Sequence, residues 1–219
     1  MTILIACKVL QRQAEALGMP YESIYLEQGL HKYPQLLTKE LQKAVDASGA
    51  YGTILLGYGL CSRAVVGLRA ASHQKMIIPR IDDCIGICMG GRERYYREFH
   101  ARPGTYYFTR GWVEVGDDPL RRYYEILEKY DEETADYTTR DNLKHYRETV
   151  FIRNDAAGEE EARAYAQKFA DFFGLAYSEI DGSAEYLAKL FSGPRDEDFV
   201  TVQGGQALTD EMFQPYTAP

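Results

Sequence analysis

The chain has 219 residues, 45% hydrophobic and 26% charged, enough for one large domain or two small ones around a substantial core. Lys and Arg total 25 against 33 Asp and Glu, a net charge of −8 that opposes non-specific attraction to nucleic acid. No apolar run approaches the ~18 residues of a membrane span, and the start MTILIACKVL has no basic region preceding its short apolar stretch. A cytoplasmic protein with no membrane or nucleic-acid partner is the expectation.

Thr2–Ala6 reads as a buried parallel strand, and Lys8–Leu17 carries helical spacing that Gly18 ends. Ser23–Leu26 is a second strand, and Pro34 opens a helix with a Leu36, Leu37, Leu41, Ala44, Val45 stripe. Thr53–Gly57 is a third strand, Ser62–Ala71 a helix rich in Ala and Val, and Met76–Pro79 a fourth strand. A helix lies within Ile85–His100, and Thr105–Thr109 is a fifth strand. Its apolar character on both faces, with Gly111 allowing a turn that packs Trp112, marks Tyr106, Tyr107 and Trp112 as the join between two halves.

Asp117, Asp118 and Pro119 signal a helix start, and Leu120–Tyr146 is mostly helical with a break near Tyr130–Thr134. Thr149–Arg153 is a strand, and Gly158–Phe173 an amphipathic helix ended by Gly174. A strand over Ala176–Ile180, a helix over Ser183–Phe191 and a strand over Phe199–Val202 follow, and Asp210–Pro219 forms a tail. The alternation predicts an α/β protein with a Rossmann-like, three-layer parallel sheet, open to being two β-α-β-α-β halves. The expected divisions are an N-terminal α/β half over 1–116, a helical connector over 117–147, and a C-terminal α/β half over 148–219, packed as one unit.

The four cysteines all fall in the first 88 residues. Cys7 follows the first strand, Cys61 comes four residues after TILLG, and Cys84 five residues after IIP. Open α/β folds bind ligands at the carboxyl ends of their strands. Three strand-to-helix turns would therefore present thiols on one edge, where helix N-termini favour the thiolate that binds metal. One buried cysteine alone would be a core residue; three at equivalent positions point to a metal or reactive-thiol site. Cys88, four residues beyond Cys84, reads as core in preference to a fourth ligand. No CxxC pair exists, which excludes a zinc ribbon, and the scattered His31, His73, His100 and His145 complete no Cys/His set. Three thiolates leave a coordination position open, as in a [4Fe–4S] cluster with one substrate-binding iron or, alternatively, catalytic zinc.

Polar residues in the same turns suggest the rest of a site. Arg63, Arg80 and Arg92 would bind a small anionic substrate, with Arg80 weighing more because Arg92 lies about two turns into the following helix. Asp82 is the candidate proton carrier and Asp83 the helix cap. Tyr58, between Gly57 and Gly59, is a pocket wall or proton donor. The pairs Gly57/Gly59, Gly90–Gly91 and Gly204–Gly205 match no nucleotide fingerprint.

The blocks GYGLCSRAVVGL, IIPRIDDCIGICMGGRERY and PGTYYFTRGW, with IACKVL, GLAYSEIDGS and FVTVQGGQ, resemble a prokaryotic family catalogued as domain of unknown function 1638. The resemblance implies cysteines matching Cys7, Cys61 and Cys84, though not clearly Cys88. It also implies an association, in anaerobes, with corrinoid-dependent methyltransferases. The chain has no Asp-x-His-x-x-Gly stretch, which argues against its carrying the corrinoid itself. Three functions stand as expectations. The first is a cytoplasmic metalloenzyme with a three-cysteine iron–sulfur or metal site acting on a small anion. The second is a non-catalytic accessory protein of a corrinoid methyltransferase system, and the third a zinc-dependent methyl-transfer protein.

Overall fold

The computed structural model describes residues 1–154, 158–194 and 196–214. Two sheets share the chain. In the first, β1 (Thr2–Cys7) is an interior strand because TILIAC is apolar on both faces and its last five residues are buried. It pairs in parallel with β2 (Glu22–Leu26) and β3 (Thr53–Gly57), and β3 pairs in parallel with β4 (Lys75–Pro79). A 3-10 turn at Lys8–Leu10 and α1 (Gln11–Ala16) replace the single helix expected there, and α2 (Pro34–Ala47), begun by Pro34, buries Leu37, Leu41, Ala44 and Val45 against β1 and β2.

No helix forms over Ser62–Ala71. Cys61, Ser62 and Arg63 have φ of 47°, 55° and 69°, and residues 61–67 form a succession of turns. A left-handed backbone costs a non-glycine residue about 1–2 kcal/mol and is incompatible with a right-handed helix at the positions that adopt it. The apolar spacing serves burial instead, since Ala64, Val65 and Leu68 are in the core. The helix expected within Ile85–His100 is two: α3 (Cys84–Met89) and α4 (Arg92–Ala101). They are separated by Gly90 and Gly91 at φ 101° and 126°. Arg92 is thus the first residue of α4 rather than two turns into a helix.

The second sheet is parallel, ordered β5 (Thr105–Phe108), β6 (Glu148–Arg153), β7 (Ala176–Asp181). Between β5 and β6 lie α5 (Arg110–Val115) and the hairpin of α6 (Pro119–Leu127) and α7 (Glu132–Leu143), broken at 128–131 as the sequence predicts. The amphipathic α8 (Glu159–Phe173) packs on β6 and β7, and α5 packs on α8.

The expected second repeat is not closed by its own last strand. After β7, α9 (Glu185–Phe191) packs on β3 and β4, and β8 (Phe199–Gln203) pairs antiparallel with β4, making the first sheet β2-β1-β3-β4-β8. The place that β8 would take beside β6 is held by β5. The fold is Rossmann-like α/β with one mixed and one parallel sheet. The tail forms a 3-10 turn at Asp210–Phe213 and beyond residue 214 lies outside the described residues.

Two apolar cores meet at α5. Trp112 packs against both, Tyr107 against the first and Tyr106 against the second, the junction expected of this segment. Gly111 makes it possible: a Cβ there would stand 1.9 Å from the Val9 carbonyl oxygen, so only glycine lets α5 lie on the turn after β1. Among the described residues, no helix is long and apolar enough to cross a membrane.

Candidate functional site

The carboxyl ends of the four parallel strands of the first sheet open on one cavity of about 300 Å³. Each strand contributes. β1 ends in Cys7; Glu27, Gln28 and His31 follow β2; Tyr58, Cys61 and Ser62 follow β3; Asp82, Asp83 and Cys84 follow β4. Trp112 closes the side toward the second sheet.

Two loops are locked together to build it. Leu60 N–H donates to the Ile81 carbonyl at 2.8 Å and Cys61 N–H to the Asp82 carbonyl at 2.7 Å. Gly59 permits this approach, since a Cβ would fall 2.5 Å from the Ile81 oxygen. The left-handed run from Cys61 to Arg63 then turns the chain back over the core, held by Ala64 N–H on the Cys61 carbonyl at 3.1 Å.

Cys7, Cys61 and Cys84 are free thiols and all line the cavity. Interaction with the neighbouring Cys84 thiol lowers the Cys7 pKa despite burial, and the same interaction, together with burial, drives that of Cys84 well up. The helix-end effect expected to favour a Cys84 thiolate is therefore overridden, in a helix of only six residues. Cys61 is raised mainly by burial, then by the charges of Asp83 and Cys7. Cys88 is buried at 2% exposure in the first core and is pushed up to about 12 by burial. As the side chains stand, no group of three or more His, Cys, Asp or Glu among the described residues is arranged to hold a metal ion.

Tyr58 is 2% exposed and its hydroxyl has no hydrogen-bond partner among the described residues, an arrangement that costs free energy unless a ligand supplies one. Burial first, then the charges of Cys7, Cys61 and Cys84, raise its pKa far above the ordinary value, so it remains a donor. Asp82 accepts from the Tyr96 hydroxyl at 2.6 Å. Asp83 caps α3 through Ile85 N–H at 2.9 Å and Gly86 N–H at 3.4 Å and also accepts from Tyr95 at 3.1 Å. Burial raises its pKa against these bonds.

The three arginines lie elsewhere. None lines the cavity. Arg63 is on the surface, 2.7 Å from Asp210. Arg80 and Arg92 both act electrostatically on Tyr186, and Arg92 also on Tyr96, the partner of Asp82. Gln28, His31 and Trp112 were not singled out as site residues. Gln28 is 2% exposed; its Oε1 accepts from Asp117 N–H at 3.3 Å, and its Nε2 has no partner among the described residues. Gln28 and His31 follow β2, so the strand-end rule would have found them; without a cysteine in that turn nothing drew attention to it.

Fold and cavity define a Rossmann-like α/β protein with a thiol-lined site at the strand ends. The chain belongs to the family described as "Protein of unknown function (DUF1638)", whose model matches residues 25–191. Cys61 and Cys84 lie within the match and Cys7 before it. No curated protein and no solved structure matches the chain.

Proposed function

We propose that the chain is a thiolate metalloprotein in which Cys7, Cys61 and Cys84 hold an iron–sulfur cluster with one open coordination position facing a substrate cavity. One observation carries this reading: three cysteines from three separate loops line a single cavity at the strand ends. Buried thiols that raise one another's pKa gain most from a soft cation, because it replaces their mutual repulsion with attraction. No group of three or more side chains among the described residues stands ready to hold a metal of either kind, so the three turns would close further on the group they bind. Three thiolates leave one position open, which suits a substrate-binding iron; catalytic zinc is the second choice of metal.

In this reading a cluster held by Cys7, Cys61 and Cys84 would supply a Lewis-acidic iron to a substrate bound in the cavity. Tyr58 donates its unpaired hydroxyl to that substrate, and Asp82 accepts a proton across the cavity. Anaerobically purified protein is expected to be brown, with iron and acid-labile sulfide in equal amounts. Cys7→Ser, Cys61→Ser and Cys84→Ser should each lose the colour and Cys88→Ser keep it. Protein that stays colourless and free of iron and zinc after anaerobic reconstitution overturns the reading.

A second reading rests on Cys7 and Cys84 lining one cavity and shifting each other's pKa. Two thiols brought together can close a disulfide by giving two electrons and two protons to a low-molecular-weight disulfide, which leaves as two thiols. A Cys7–Cys84 cross-link in iron-free protein, found by alkylation and mass spectrometry, favours it over the cluster.

A further inference from the structure

His31 and Trp112 line not only the cysteine cavity but two further cavities that adjoin it. The first of these, again about 300 Å³, is walled by Tyr95, Phe99, Tyr106, Tyr107, Trp112 and Tyr146. Asp83 is its single carboxylate, and among the described residues neither Lys nor Arg lines it or the cysteine cavity. The other cavity has Lys32 and Arg122, but both are ion-paired with Asp117, and Asp118 lies beside them. The whole cleft is thus aromatic in lining and negative in balance.

Aromatic faces carry negative charge density and attract a cation within about 6 Å of the ring centre. Tyr106 and Tyr146 touch at 59° with centroids 5.4 Å apart, His31 and Trp112 touch at 66° with centroids 5.5 Å apart, and Tyr95 stacks on Phe99 at 24° with centroids 6.0 Å apart, so the lining presents rings in several orientations. A flat ring stacks best between parallel faces, whereas a round group needs no single ring orientation. An ordinary ammonium would need hydrogen-bond acceptors, but Asp83 already accepts from two backbone N–H groups and from Tyr95. A quaternary ammonium needs none. The buried Tyr107 hydroxyl and Trp112 Nε1–H, without partners among the described residues, are donors left for an oxygen elsewhere on the same ligand.

We propose that this aromatic cavity binds a methylated quaternary ammonium group. The proposal does not depend on what the cysteines hold. Trp112 is the chain's single tryptophan, so its fluorescence reports directly on occupation. The full chain is titrated with choline and with its uncharged carbon isostere, in which tert-butyl replaces trimethylammonium. Choline is expected to saturate the signal at a concentration at least about tenfold lower than the isostere. Phe99 is 51% and Tyr146 36% exposed, so replacing either leaves the core intact. Phe99→Leu and Tyr146→Leu should each weaken choline about three- to tenfold, and Tyr146→Phe, which keeps the ring, should bind as the parent does. Iron content, measured on the same samples, should not change with Phe99→Leu, which separates this result from that of the cluster. Equal binding of choline and isostere, saturation by adenosine in place of choline, equal loss in Tyr146→Phe and Tyr146→Leu, or no saturation overturns the proposal.

Discussion

Asp118 shows how one side chain sets a pH dependence. It is 1% exposed, caps α6 through Leu120 N–H at 2.9 Å and Arg121 N–H at 3.1 Å, and takes the Tyr165 hydroxyl on both oxygens. Burial nevertheless wins, and its pKa lies above the ordinary 3.8. A carboxyl with a raised folded-state pKa contributes stability fully below 3.8, where it is protonated in both states, and loses it as pH rises through the folded value. Stability from urea titrations is expected to fall over that window in the parent and to lose this component in Asp118→Asn. Asp118→Ala should cost about 1–2 kcal/mol at neutral pH through loss of the cap. A parent and Asn variant with the same slope would show that the buried carboxylate is fully compensated.

At the scale of the element, α5 joins the two sheets through a single missing methyl group. Gly111→Ala puts a Cβ into the Val9 carbonyl, and α5 must lift from the turn that carries Cys7. The expected loss is about 1–3 kcal/mol by chemical denaturation, well beyond the usual effect of Gly→Ala in a helix, which is favourable. An unchanged midpoint would mean that the helix shifts freely. The strands that position the site were legible because buried parallel strands are short apolar runs with glycine or cysteine at their ends: Thr53–Gly57 was read to the residue. Ser62–Ala71 was not legible, because buried turns and a buried helix both show apolar residues three and four apart, and no residue-type rule announces three left-handed positions without glycine. The arginines were not placed by sequence for a related reason. Sequence places a residue near a strand end but does not say which way its side chain leaves, and neither Arg80 nor Arg92 is among the residues lining the cavity. The aromatic cavity needed the distance from β5 to α4, which no local pattern encodes.

For the molecule as a whole, Trp112 packs against both cores, so loosening either should change its fluorescence. Tryptophan fluorescence and far-ultraviolet circular dichroism are expected to report coincident urea transitions, as for one cooperative unit. Two separated transitions would show that the sheets unfold independently. The pairing of β8 with β4 has a consequence for synthesis. Residues 80–198 are made between the two strands, which at about 5–20 residues per second takes roughly 6–24 s. During that interval all three strands of the second sheet are made, while the outer edge of β4 waits for a strand not yet translated. The half of the molecule begun first is the last to be closed.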